Sequence, residues 1–280
     1  MKKLTKMSLL GLLATGLLVS CGKEEKPIEP DYTAGADYTV TTFGLNMDMV
    51  YVEGGSFEMG ATAEQWRDAD SDEEPVRTVT LDSYHIGKYE VTQGQWEAVM
   101  GTSLQEQRAL SDNDYGIAGE GADYPMYYVS WKDAQEFCKR LSKKTGKKYV
   151  LPTEAQWEYA ARGGEKSKGY KYSGSDDIAA VAWYGGNSGD QTHRVGTKKA
   201  NELGIYDMSG NVWEWCSDWY GTYDESDTDN PQGPVNGSIR VHRGGSWNHY
   251  IAIRCRVAYR NSDGPESSGF DLGFRVACLP

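Results

Sequence analysis

Only three stretches of this chain carry a clear helix signal, and each opens with the same device. Thr92-x-x-Gln95, Ser130-x-x-Asp133 and Thr153-x-x-Gln156 place a hydroxyl residue three positions before a side chain that can reach back to the first backbone amide. The first segment puts Trp96, Val99 and Met100 on one face and stops at Gly101. The second carries Ala134, Phe137 and Leu141 at helical spacing and ends by Gly146, while the third follows Pro152 and ends at Gly163-Gly164. Elsewhere apolar residues alternate over short runs: Val50 with Val52, Val79 with Leu81, the neighbourhood of Val241, and Phe274 with Val276 and Cys278. Glycine at 33 positions supplies the turns between them, and 9 Trp and 19 Tyr supply the bulk for a core. The expectation is an α+β domain, loop-rich, with short helices and small antiparallel sheets.

Lys2, Lys3 and Lys6 precede an apolar run from Leu9 to Val19, the layout of a secretory signal and too short to cross a bilayer. Leu18-Val19-Ser20-Cys21 resembles the lipobox of bacterial lipoproteins, in which the signal is removed and Cys21 carries the lipid. Residues 1–21 are therefore read as a lipoprotein signal and 22–44, with Pro27 and Pro30, as a flexible tether. Residues 45–280 contain no linker and no repeat and are read as one domain. This predicts an exported outer-membrane lipoprotein that touches the membrane through its lipid alone, and Lys23-Glu24-Glu25 resembles the tag of surface-displayed members. A net charge of −12 repels phosphate backbones, so nucleic acid is excluded as a partner.

With Cys21 assigned to lipid, Cys138, Cys216, Cys255 and Cys278 remain, an even number in an oxidising compartment. Two bridges are available and their pairing is open, as is a fully reduced state with buried thiols. His85, His193, His242 and His249 are too scattered for a transition-metal motif. No nucleophile elbow, His-x-Glu element or glycine-rich phosphate loop occurs, which leaves hydrolase and nucleotide readings without a reactive group.

The domain resembles the formylglycine-generating-enzyme, or sulfatase-modifying-factor, family over nearly all of 45–280. The phrases that carry the resemblance run from Met49-Val50-Tyr51-Val52-Glu53-Gly54-Gly55-Ser56-Phe57 through Leu151-Pro152-Thr153-Glu154-Ala155-Gln156-Trp157-Glu158. They continue with Gly210-Asn211-Val212-Trp213-Glu214-Trp215, Arg243-Gly244-Gly245-Ser246-Trp247 and Gly273-Phe274-Arg275-Val276. The resemblance implies a C-type-lectin-like fold. It also implies calcium as a candidate cofactor, at Asp207, Gly210, Val212 and Glu214, with a second set beginning at Asn187 and Ser188; the alternative for Glu214 is a carboxylate that hydrogen-bonds loop amides without metal. Members that make formylglycine use two copper-binding cysteines shortly after Gly-Gly-Ser, and here that segment holds Cys255 alone, so copper is not expected. The resemblance pairs Cys255 with Cys216. Cys278 stands two residues beyond a family bridging position, which keeps the same strand face and suggests Cys138 as its partner.

The last 33 residues use a restricted alphabet. Lys, Glu, Gln, Met and Trp fill 63 of the 280 positions, so 248–280 should contain about seven, yet only Glu266 is found there. Those five are the amino acids that codons ending in a pyrimidine cannot encode. The segment is similar to the variable region of diversity-generating-retroelement target proteins, in which such codons are randomised and the side chains form a ligand-binding face; the alternative is a fixed loop that lacks long side chains. Candidate contact residues are His242, Asn248, His249, Tyr250, Ile251, Ile253, Tyr259, Asn261, Asp263, Phe270 and Asp271, with Arg254, Arg256, Ala258, Arg260 and Arg275 as constant frame. The function expected is a non-catalytic, monomeric binding module for a protein or glycan on another surface. The enzymatic alternative is an oxidase that converts a sulfatase cysteine to formylglycine, and a third is a structural subunit of an envelope assembly.

Overall fold

The computed structural model describes residues 35–111 and 114–280, so the signal, most of the tether and Cys21 lie outside the described residues. All three capping boxes form. Helix α1 (Gln93–Met100) is capped by Thr92 and Gln95, α3 (Trp131–Thr145) by Ser130 and Asp133, and α4 (Glu154–Arg162) by Thr153 and Gln156. Each ends on a left-handed glycine, at Gly101, Gly146 and Gly163, where a residue with a Cβ would be strained. Two shorter helices, α2 (Leu104–Leu110) and α5 (Ile178–Val181), were not expected; α2 opens on a fourth capping box, Ser103 with Glu106.

Eleven short strands make three sheets among the described residues. The largest has the order β1 (Tyr38–Val40), β2 (Met47–Val52), β5 (Tyr84–Gly87), β11 (Ala277–Leu279), β6 (Lys148–Val150), and is antiparallel throughout. A two-stranded sheet pairs β3 (Gly55–Met59) with β4 (Arg77–Leu81). The third has the order β10 (Leu272–Gly273), β7 (Trp213–Trp219), β8 (Arg240–Arg243), β9 (Arg260–Asp263), and its β10 edge runs parallel to β7, the one departure from the antiparallel expectation. The fold begins earlier than residue 45. Tyr38, Thr39 and Val40 pair with Met49, Asp48 and Met47, which removes them from the tether. The expected strand through Phe274 and Val276 is also interrupted, because Phe274 turns inward to pack edge-on against Phe137 at 5.2 Å and Trp96 at 6.1 Å.

The core is aromatic, as the composition predicts. One apolar cluster joins α1 and α3 to the large sheet around Trp96, Phe137, Phe274, Trp215 and Trp247; a second packs α4 against β2 to β5 and β8 around Trp157, Tyr84 and Val241. The disulfide expectation is not met: Cys138, Cys216, Cys255 and Cys278 are four free, buried thiols. Cys216 belongs to the second cluster and Cys255 to a third, with Tyr172 and Val181, so the two fill separate volumes; Cys138 and Cys278 share the first cluster unbridged. All four act as small apolar side chains, and burial pushes their thiols up, that of Cys255 to about 12.

Candidate functional site

Four buried arginines hold the C-terminal segment to the body. Arg243 precedes it and donates to Glu154 (2.9 Å) and Glu158 (2.5 Å); Arg256 donates to both oxygens of Glu73 (2.8 and 2.5 Å). Arg260 is bidentate on Glu154 (2.6 and 2.8 Å), and Arg275 is bidentate on Glu214 (2.6 and 2.6 Å). Planar guanidinium forks on carboxylates fix direction as well as distance, so the ends of the segment are set by the body and not by the side chains between them. Arg162 extends the chain of charges, from Glu158 (2.8 Å) to Glu64 (2.6 Å). In the core cluster below, Trp131 and Trp215 donate their indole N–H to the carbonyls of Cys216 and Val129.

Between those clamps the backbone makes one tight crossing. Gly244 and Gly245 both take positive φ, and a Cβ on Gly245 would come within 2.7 Å of the Cys255 sulfur and 2.8 Å of the Arg254 carbonyl. The loop that follows is bound from below: Trp247 donates its backbone N–H to Asn211, Ser188 donates its hydroxyl to the Trp247 carbonyl, and Gly185 donates its N–H to the His249 carbonyl. Tyr250 and Ile251 then stand outward, 67% and 60% exposed, on a base that is otherwise closed.

The predicted contact residues divide by depth. Asn248, Ile253, Asn261 and Phe270 are half-buried at the rim and Asp263 is exposed. Phe270 stacks on Tyr115 with centroids 3.9 Å apart and meets Trp247 edge-on at 5.8 Å. Tyr259 is half-buried over Trp213 at 6.0 Å and packs against the first core cluster, so it is a support more than a contact. His242 and Asp271 are corrections: both are buried, His242 between Trp213 and Trp215 with its Nε2 3.1 Å from Asp263, and Asp271 as acceptor for the Ser246 hydroxyl at 2.6 Å. His249 is also half covered. Burial, then the Arg254 charge, holds its imidazole down to about 4, so it is neutral at physiological pH and its Nε2 accepts from Arg254 at 2.8 Å. Two residues of this surface lie outside the segment that the sequence singles out: Tyr115, 51% exposed, and Asp190, which accepts the Tyr250 hydroxyl at 2.7 Å. Neither stands in a pattern that marks it.

The two cation sets fare differently. The Asn187 and Ser188 side chains are already engaged: the Asn187 amide accepts from Tyr184 and donates to Ala182, the Ser188 hydroxyl donates to Trp247 and accepts from Asp190, and the Ser188 carbonyl meets the His193 ring at 2.7 Å. At the other set, Asp207 accepts from Gly196 through Oδ2 while its Oδ1 is buried without a partner. Glu214 holds Arg275 and the Trp157 indole N–H (2.7 Å), which leaves one acceptor position on Oε1. Glu90 is buried beside both, bound to the Asn211 side chain and the Val212 amide. Burial, and then Asp207 and Glu214, push the Glu90 carboxyl well above its usual range. Three buried carboxylates thus act on one guanidinium, and Asp207 keeps one unfilled oxygen. Carboxylate and carbonyl oxygens are the donors a hard cation takes, but among the described residues the one group of three carboxylates close enough to share an ion is Asp70, Asp72 and Glu73.

Comparison with known proteins agrees with this scaffold. The model of the sulfatase-modifying factor enzyme 1-like domain matches residues 39–279. A Paenibacillus barcinonensis protein called chaperone protein LppX is 36% identical over 82% of this chain and 88% of its own. The formylglycine-generating enzyme of Streptomyces coelicolor is 33% identical over 81% of this chain and 88% of its own. Among solved structures, Treponema denticola variable protein 1 superposes with a TM-score of 0.75 at 34% identity, over 87% of this chain and 99% of that one.

Proposed function

Since the chain belongs to the sulfatase-modifying factor enzyme 1-like domain family, we propose that it keeps the family scaffold and uses it as a non-catalytic, lipid-anchored binding module of the cell envelope. The observation that carries this reading is the division at the C-terminal segment, where exposed Tyr250 and Ile251 sit on a loop whose ends are fixed by buried arginine–carboxylate pairs. Side chains there can change without changing the frame, which is what a recognition surface needs. Likeness to a variable protein in fold supports the same reading. The chemistry of an oxidase is not supported: Cys255 is sealed beneath Gly245 with its thiol held protonated, and no second cysteine accompanies it in the segment 247–260. The signal at Lys2 to Cys21 supports export and lipidation at Cys21, with the outer membrane as destination. The ligand is a protein or glycan on another surface, met by aromatic and amide side chains.

The test is a printed array of glycans and extracellular proteins probed with the chain lacking its signal. The expected result is binding that the double variant Tyr250→Ala/Ile251→Ala abolishes, with its unfolding free energy within about 0.5 kcal/mol of the parent because both side chains are exposed. Aldehyde formation on a sulfatase-type cysteine peptide, in the presence of copper and oxygen, would overturn the reading.

Calcium belongs to the same proposal as a stabiliser of the loop beneath the face, held by Asp207, Glu214 and the carbonyls of Gly210 and Val212. A calcium excess of about a hundredfold over its dissociation constant should raise the unfolding free energy by about 2.7 kcal/mol, and Asp207→Asn should remove most of that gain. An identical melting curve in calcium and in chelator would contradict it.

A further inference from the structure

A second concavity lies under the 220–235 loop, built from residues that the binding face does not use. It is a cavity of about 560 Å³, within the range of small-molecule sites, lined among others by Arg77, Glu154, Asp218, Tyr223 and Arg260. The loop closes over it without side chains in the way: a Cβ on Gly221 would lie 2.7 Å from Pro234, and one on Gly233 (φ +70°) would lie 3.2 Å from Asp218 Oδ1.

Its two walls carry opposite charges that are not paired with each other. On one side, Arg77 is buried, lies 4.5 Å above the Tyr223 ring, and spends its Nη atoms on the carbonyls of Asp224 (2.7 Å) and Asp227 (3.3 Å) and on the Met59 sulfur. Its Nε is buried without a partner, and among the described residues no carboxylate is ion-paired with it. Arg260, by contrast, is already neutralised by Glu154. On the other side stands Asp218, which accepts the Glu154 backbone N–H and the Ser217 hydroxyl through Oδ2, both at 2.9 Å. Burial, and then the Glu154 charge, push its carboxyl up to about 7, so at neutral pH it is partly protonated and an ammonium that reaches it must draw it into its ionised form.

We propose that this cavity binds a free α-amino acid, with the ligand carboxylate on Arg77 and its ammonium on Asp218. A guanidinium at the cavity wall whose charge no carboxylate neutralises favours an anionic group. A simple anion would also meet Asp218 and the rim carboxylates of Asp224 and Asp227; a simple cation would meet Arg77. Only a ligand with both charges answers both walls.

Isothermal titration at neutral pH with each of the twenty L-amino acids tests this, with acetate and methylammonium as half-ligands. At least one amino acid should bind, and both half-ligands should bind at least about tenfold more weakly. Arg77→Gln and Asp218→Asn should each weaken binding by about tenfold or more. Because Arg77 is buried and its variant can fail to fold, Val235→Trp provides a second obstruction at a rim position that is 91% exposed, and it should weaken binding with an unchanged melting temperature. The proposal is overturned if no amino acid gives heat at millimolar concentration, if acetate binds as tightly as the amino acid, or if Asp218→Asn and Val235→Trp both leave binding intact.

Discussion

Replacing Arg243 with leucine should cost about 3–5 kcal/mol of folding free energy, the largest loss expected from any one side chain of the frame. Arg243 is fully buried, and its guanidinium serves Glu154, Glu158 and the carbonyls of Val257 and Ala258. Leucine fills part of the volume and leaves two buried carboxylates to Arg260 and Arg162 alone. A loss of that size is a large part of the 5–15 kcal/mol that ordinarily holds a domain together. Melting should fall on the order of 10 °C for a domain of this length. The binding face should fail with it, because the carbonyls of Val257 and Ala258 are the far anchor of the loop. Urea unfolding with circular dichroism would read the loss. A change under 1 kcal/mol would mean that the arginine clamps contribute direction and little stability.

The second large effect concerns backbone in place of charge. Gly245→Ala should destabilise the domain by about 3 kcal/mol, from the strain of a left-handed alanine together with overpacking. The added Cβ meets the Arg254 carbonyl, which is backbone and cannot rotate away, and the Cys255 sulfur, which is enclosed by the third cluster. The surface it disturbs is the one that carries Tyr250 and Ile251, so affinity should fall more than stability predicts. Gly101→Ala makes the control: its φ is also positive, at +79°, but nothing lies within 4 Å of the new Cβ, so only the conformational strain remains and the loss should be about 1 kcal/mol.

Three of the five helices were legible because their information is local, and α2 and α5 were missed. A hydroxyl and an amide or acid three residues apart specify a cap wherever they occur, and Ser103 with Glu106 obeys the same rule that found the other three. The strands were legible only where both faces keep one environment. Phe274 breaks the alternation near the C-terminus because a tertiary pocket between Trp96 and Phe137 claims it, which no window of sequence reveals. Tyr38 to Val40 were hidden for the opposite reason, in a polar stretch whose pairing with β2 depends on residues further along the chain. Cys216 and Cys255, which the resemblance pairs, are free and belong to different apolar clusters, while Cys138 and Cys278 are free within one.

At the candidate site, the restricted alphabet marks a segment but not the depth of its residues. Tyr250 and Ile251 are exposed, while His242 and Asp271 belong to the support beneath them. In the proposed binding module, codon chemistry would set which residues vary and burial which of them a ligand can touch. Tyr115 and Asp190 reach the face from two loops far away in sequence, so they carry no mark at all.

Long-read sequencing of the coding locus across many cells of the host population tests the central claim most directly. The expected result is substitution confined to codons of residues 248–271, falling on Asn248, Tyr250, Ile251 and Asn261 and sparing Arg243, Arg256, Arg260 and Arg275, with a template copy and a reverse-transcriptase gene nearby. An invariant 3′ end without a template, or changes spread evenly over exposed and buried positions, would contradict a face that is free to vary on a fixed frame.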